Sequence, residues 1–238
     1  MLNKRFFSFL IAGAIAISAF AGFTVSLNNA NPTIFRMAAN GQVKPGDTVN
    51  FSIVNNTEDE NFQFTVYRVA KEQEFITEYL AARTYGRFDI WKKDGTYLQF
   101  CEKVKEFNRI VTPSGSYYYE PTILSAGTFD KPGIYIIKAI SAGKVAYLPI
   151  YISEKMMVMK KGDKNFLSFV TNAKTGEILM PDLTTLYADG KTISSQAPTS
   201  EGLTLMDLSG VGNLENKSSL ITALVAGELV YSDPYIFF

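Results

Sequence analysis

Polar and apolar residues alternate from Thr48 to Val54, the period of a strand with one buried face. The same period returns from Phe62 to Val69 and puts Phe62, Phe64 and Val66 on one side. The period then changes. Between Lys71 and Arg83, Phe75, Ile76, Tyr79 and Leu80 recur at helical spacing, with Glu72 and Glu74 near the start, where acid suits the helix dipole. Tyr97, Cys101, Val104 and Phe107 also have near-helical spacing, but Lys93-Asp94-Gly95 before them is a hairpin signal, so this segment stays open. Ile134–Ile140 and Val145–Ile152 are almost continuously apolar across a Ser141–Lys144 turn, as central strands are.

Further strand-like runs follow at Met156–Met159, Phe166–Thr171, Leu183–Tyr187, Lys191–Gln196, Leu203–Leu208, Ser219–Val225 and Glu228–Tyr231, with hairpin turns at Asp189-Gly190 and Ala226-Gly227. Before them, Thr33–Met37 leads to a tight turn at Pro45-Gly46. Together these runs predict a mainly β protein of two tandem antiparallel β-sandwich domains, residues 31–153 and 154–238, with a short helical insertion in the first. No Gly/Ser-rich linker separates them, which implies close packing or a short rigid hinge near Ser153–Met156. Ile134, Ile136, Val145, Leu148, Phe166, Phe169, Leu186 and Val225 are expected in the core.

Composition narrows the chemistry. Lys plus Arg and Asp plus Glu both number 23, so the formal net charge is zero and nothing favours nucleic acid as a partner. Histidine is absent, which excludes a Ser-His-Asp triad, a Cys-His pair and His-ligated zinc. The single cysteine, Cys101, excludes an intrachain disulfide and thiolate metal clusters, and reads as a small buried hydrophobe. No cofactor, metal or catalytic residues are expected. Glu58, Asp59, Glu60, Glu102 and Glu106 supply carboxylates, but no spacing sets two of them across a cleft. The run Thr57–Asn61 lacks the spaced ligands of a calcium loop and reads as a hairpin tip. Ser209–Asn213 holds Gly-x-Gly without the third glycine of a dinucleotide site.

Met1–Arg5 is basic and Phe6–Phe20 apolar, and Ala19-Phe20-Ala21 fits a signal-peptide site cleaved after Ala21. Uncleaved, Phe6–Val25 would anchor the chain in a membrane; both readings export the remainder to the periplasm or beyond. Asn50, Asn55 and Asn216 head Asn-x-Ser/Thr sequons. Trp91, Tyr97 and the triplet Tyr117, Tyr118, Tyr119 are candidate surface-binding aromatics, although alternating burial in a strand explains the triplet as well. Tyr235–Phe238 follows Asp233-Pro234 as an apolar end and is expected to dock or to promote self-association.

Several turns and strands carry a resemblance: Pro132-Gly133-Ile134-Tyr135, Met157–Lys160 before Gly162-Asp163-Lys164, Phe169–Gly176, Leu186–Gly190 and the hairpin Ala223–Tyr231. In this order they resemble the early macroglobulin-type domains of bacterial alpha-2-macroglobulin-like proteins. Lys44–Asp47 and Phe64–Arg68 are similar to that family's first domain more weakly. The resemblance implies immunoglobulin-like, macroglobulin-type sandwiches and a link to protease defence. The family's thioester, Cys-x-Glu-Gln, has no counterpart, since Cys101 is followed by Glu102-Lys103-Val104, and no bait-like segment separates the domains. The expectation is therefore an exported, non-catalytic scaffold or binding module whose partner is a protease or an envelope protein. The alternative is an adhesin or carbohydrate-binding sandwich that uses the exposed tyrosines.

Overall fold

The computed structural model describes residues 35–39, 42–82, 96–114, 121–162, 164–211 and 219–232. The leader region, Trp91, Tyr117–Tyr119, Asn216 and Tyr235–Phe238 lie outside them, so the expectations placed on those residues meet no structure.

The elements run β1 (Arg36–Ala39), β2 (Gln42–Val43), β3 (Thr48–Val54), β4 (Asn61–Val69), α1 (Glu72–Ala82), a 3-10 turn (Thr96–Phe100), β5 (Cys101–Ile110), β6 (Thr122–Thr128), β7 (Gly133–Ser141) and β8 (Lys144–Ile152). There follow β9 (Lys155–Lys161), β10 (Asn165–Asn172), β11 (Ile178–Leu179), β12 (Leu183–Ala188), β13 (Lys191–Gln196), β14 (Leu203–Asp207), β15 (Ser219–Val225) and β16 (Glu228–Tyr231). Four sheets result, in the orders β1-β3-β6, β2-β8-β7-β4-β5, β13-β12-β15-β16, and β11-β10-β14 with β9 on the other side of β10. All pairings are antiparallel except the short β2–β8 contact. The architecture is mainly β, with one short helix, as the periodicities predict.

Alternation builds the first sandwich. Met37 and Ala39 on β1 and Val49, Phe51 and Ile53 on β3 face Phe62, Phe64 and Val66 on β4, together with Tyr135, Ile137 and Ala139 on β7. Phe35 meets Phe62 edge-on with ring centroids 4.8 Å apart, and Phe51 meets Phe64 at 5.5 Å, arrangements that suit the ring quadrupole. The second sandwich closes Phe166, Met206 and Val170 over Leu186, Ile221, Ala223 and Val225. A buried Thr184–Thr204 hydroxyl pair, 3.0 Å apart, lets both side chains sit in that core.

The five-stranded sheet is buried on both faces, and this explains the unbroken apolar runs of β7 and β8. Tyr135 and Ile137 point into the first sandwich, while Ile134 and Ile136 point the opposite way, toward α1 and the third sheet. In β5 the register slips opposite Val66 and Tyr67, so Val104 has no partner of its own. The bulge turns Cys101 toward the α1 side and Phe107 toward Phe64, with ring centroids 5.1 Å apart. One residue thus reconciles the near-helical spacing of Cys101, Val104 and Phe107 with a strand. Tight hairpins form at Ala142-Gly143, Asp189-Gly190 and Ala226-Gly227, each with φ positive at both residues, the geometry that matches strand twist.

Three expected core positions need correction. Phe169 is only half-buried, because it lies an odd number of residues from Phe166 and the two cannot share a face of β10. Val145 is 40% exposed at the tip of the β7–β8 hairpin, on the face opposite Ala146 and Leu148. Ile134 is half-buried at the edge of the α1 cluster. Ile136, Leu148, Phe166, Leu186 and Val225 are buried as expected.

Candidate functional site

The strongest concentration of ordered chemistry lies between the two pairs of sheets. α1 leaves the end of β4 and inserts Phe75 and Ile76 beside Val69, Ile136 and Tyr147 on one side and Tyr187 and Leu220 on the other. Its first turn supplies the polar contacts. Tyr231 donates its hydroxyl to Glu72 Oε2 at 2.6 Å, and Tyr187 donates to Gln73 Oε1 at 3.1 Å. Burial pushes the Glu72 carboxyl above the usual carboxylate range, against the Tyr231 hydrogen bond and the nearby Arg68 guanidinium. Tyr231 and Tyr151 meet edge-on with centroids 4.9 Å apart, and burial raises the pKa of both phenols. Gly133, at φ +130°, lies against this carboxylate: a Cβ there would sit 2.7 Å from Glu72 Oε1.

The chain crossing from β8 to β9 is fastened beside this cluster. Ser153 donates to Glu228 Oε1 at 2.5 Å, and Lys155 forms an ion pair with the other Glu228 oxygen. Tyr151 donates to the Leu229 carbonyl at 2.8 Å, and Gln42 donates to the Ser153 and Lys155 carbonyls. The Lys155 and Glu228 side chains are each less than one-fifth exposed, so either one left alone would carry a largely desolvated charge. Among its described residues the junction contains no nucleophile–base pair. No local pattern signals Glu72–Tyr231 or Lys155–Glu228, whose partners lie 159 and 73 residues apart.

Of the candidate surface aromatics, Trp91 and Tyr117–Tyr119 lie outside the described residues. Tyr97 falls in the 3-10 turn, where only its backbone is described. Asp59 clamps hairpin tips, accepting the Asn61 and Ala142 amides at 2.9 and 3.0 Å, which holds its carboxyl below the ordinary range. Glu106 accepts from Lys103 and Gln63 on the open side of β5. Among the described residues, no group of three His, Cys, Asp or Glu could hold a metal ion, and no helix is long and apolar enough to cross a membrane. Cys101 is half-buried, and burial pushes its thiol up to about 11, which suppresses the reactive thiolate. The Asn55 side chain is buried and donates to the Asp59 and Val111 carbonyls while accepting from Thr57, so this sequon is committed to the fold.

No protein-family model matches the sequence, and no curated protein matches it. Solved structures do match. The native alpha-2-macroglobulin of Escherichia coli spanning domains MG0-NIE-MG1 is similar over 81% of this chain and 61% of that one, at 16% identity and a TM-score of 0.59. The fragment spanning NIE-MG1 is similar over 81% and 92%, at 16% identity and a TM-score of 0.55. A Salmonella alpha-2-macroglobulin mutant matches over 81% of this chain and 11% of its own, at 10% identity and a TM-score of 0.50. The chain thus spans about three-fifths of the three-domain fragment and a small part of the whole protein. Its fold is that of the amino-terminal macroglobulin-type region of bacterial alpha-2-macroglobulins.

Proposed function

We propose that this chain is an exported, non-catalytic binding module of two macroglobulin-like sandwiches, residues 31–153 and 154–238, meeting at Ser153–Glu154. The observation that carries the reading is the fold likeness over 81% of the chain to amino-terminal fragments of the alpha-2-macroglobulin of Escherichia coli. The partner class, a protease or an envelope protein, comes from that analogy. Two features of the chain support it. The junction holds the two pairs of sheets in one orientation through Glu72, Tyr231, Lys155 and Glu228, as a rigid display surface requires. Two of the five candidate carboxylates, Asp59 and Glu106, are engaged in hairpin and strand contacts. Export rests on the basic start, the apolar run and the Ala19-Phe20-Ala21 site.

Two measurements test the proposal. Intact-mass analysis of chain recovered from a bacterial host should show mature protein beginning at Gly22 in the periplasmic fraction; full-length chain retained in the cytoplasm would overturn export. Biosensor titration against a panel of secreted proteases and periplasmic envelope domains should give saturable binding without turnover of peptide substrates. A panel with no binding at micromolar concentration would sink the binding role.

A further inference from the structure

β10 alternates between two environments. Phe166, Ser168 and Val170 face the second sandwich core, so Leu167 and Phe169 face outward. Register extends this outer surface across the neighbouring strands: Leu167 lies beside Leu205 and Lys160, and Phe169 beside Leu203 and Val158. Leu205 is 57% exposed, and Leu203, Val158, Leu167 and Phe169 are half-buried. Five adjacent apolar side chains on a solvent-facing sheet are more than scattered surface hydrophobics, and a patch of this kind marks an interaction surface.

We propose that this face, on β9, β10 and β14, is the contact between two copies of the chain. Three observations select a second copy. The patch is centred on β10, with one strand on either side, so a two-fold axis parallel to β10 lays β10 over β10 and β9 over the other copy's β14. Phe169 then meets Phe169, and Val158 meets Leu203, apolar against apolar at the usual separation of about 10 Å between packed sheets. Opposite charges bracket the patch on opposite sides, Lys160 on β9 and Asp207 on β14. The same axis brings Lys160 of each copy over Leu205 of the other, within one strand repeat, about 7 Å, of Asp207. Finally, the chain carries no net charge that would hold copies apart. The third sheet cannot supply this surface, because Tyr187 and Leu220 on its outer face are covered by α1.

The test is sedimentation equilibrium on the purified full chain. The wild type should show a reversible monomer–dimer equilibrium at micromolar to submillimolar concentration. Leu205→Glu should weaken the dimer by at least about tenfold with an unchanged urea midpoint, since Leu205 is more than half exposed. Lys160→Glu and Asp207→Lys should each weaken it several-fold, and the double variant should recover most of the loss. That rescue requires charges from two copies to meet and does not follow from a mere change of folding. A chain lacking Tyr235–Phe238 should dimerise as the wild type does. A monomeric wild type, a dimer indifferent to Leu205→Glu, a charge swap without rescue, or a dimer lost with the tail would each overturn the proposal.

Discussion

On the outside of the β1-β3-β6 sheet, the residues that alternate with the core are Arg36, Ala38, Asn50, Ser52, Val54, Ile123 and Ser125. On the outside of the β9-β10-β14 sheet they are Met156, Val158, Lys160, Asn165, Leu167, Phe169, Thr171, Leu203, Leu205 and Asp207, with Val158, Leu167, Phe169, Leu203 and Leu205 adjacent at its centre. Both sheets are outermost layers, and both cover a sandwich core with their other face. The first shows that a terminal layer of this fold needs no contiguous apolar outer surface: Ser52 hydrogen-bonds across to the Ala38 carbonyl, and Val54 and Ile123 are set among Arg36, Asn50, Ser52 and Ser125. The apolar character of the second is therefore not demanded by folding. The difference between the two faces is what the proposed contact between copies rests on.

The comparison can be broken first at the inner faces, where the largest effect is expected. Phe64 is fully buried between Phe51, Phe62 and Phe107, and Phe64→Ala should cost about 3–5 kcal/mol in urea unfolding. A loss near 1 kcal/mol would mean that the first sandwich is far looser than its packing shows.

Phe169 sharpens the contrast. On the outer face and half-buried, it should lose only about 1–2 kcal/mol on truncation to alanine under conditions where the chain is monomeric. A cost equal to that of Phe64→Ala would put its ring in the core and remove the patch.

The smallest effect concerns the junction, where polar groups sit between two apolar faces. The folded state raises the Glu72 pKa, chiefly by desolvation, so it holds the proton more tightly than the unfolded chain does. The stabilisation from that proton is present below the unfolded pKa and is lost as pH rises through the raised value. Glu72→Gln keeps an acceptor for the Tyr231 hydroxyl and has no charge to desolvate. Its stability relative to wild type should therefore climb as pH rises from about 4, the ordinary carboxylate range, through the raised Glu72 pKa, and stay level above it. Parallel pH–stability curves for the two proteins would show that Glu72 is solvated in the folded chain.

Much of this fold was legible because strand periodicity is local. Thr48–Val54 and Phe62–Val69 announced their inner faces through alternation, and Glu72–Ala82 its helix through a change of period. Asp189-Gly190 and Ala226-Gly227 announced their hairpins through the glycine that accepts positive φ. β6 escaped notice, because Thr122–Thr128 contains Ser, Gly and Ala and takes its place only by pairing with β3. A run of tyrosines reads alike as a binding platform or as a strand, and only a neighbour across space separates the two.

The sequence by itself determined the mainly β class, the short helix, most strand positions and the exclusion of histidine chemistry, since each follows from residue type or near-neighbour spacing. Tertiary structure alone decided the rest. It turned β5 at the Val104 bulge, sent Phe169 outward while Phe166 went in, and closed Glu72 onto Tyr231 and Lys155 onto Glu228. The physical reason is that alternation fixes which residues share a face. Which of two faces lies against another sheet depends on partners far along the chain, and those are chosen only when the layers pack.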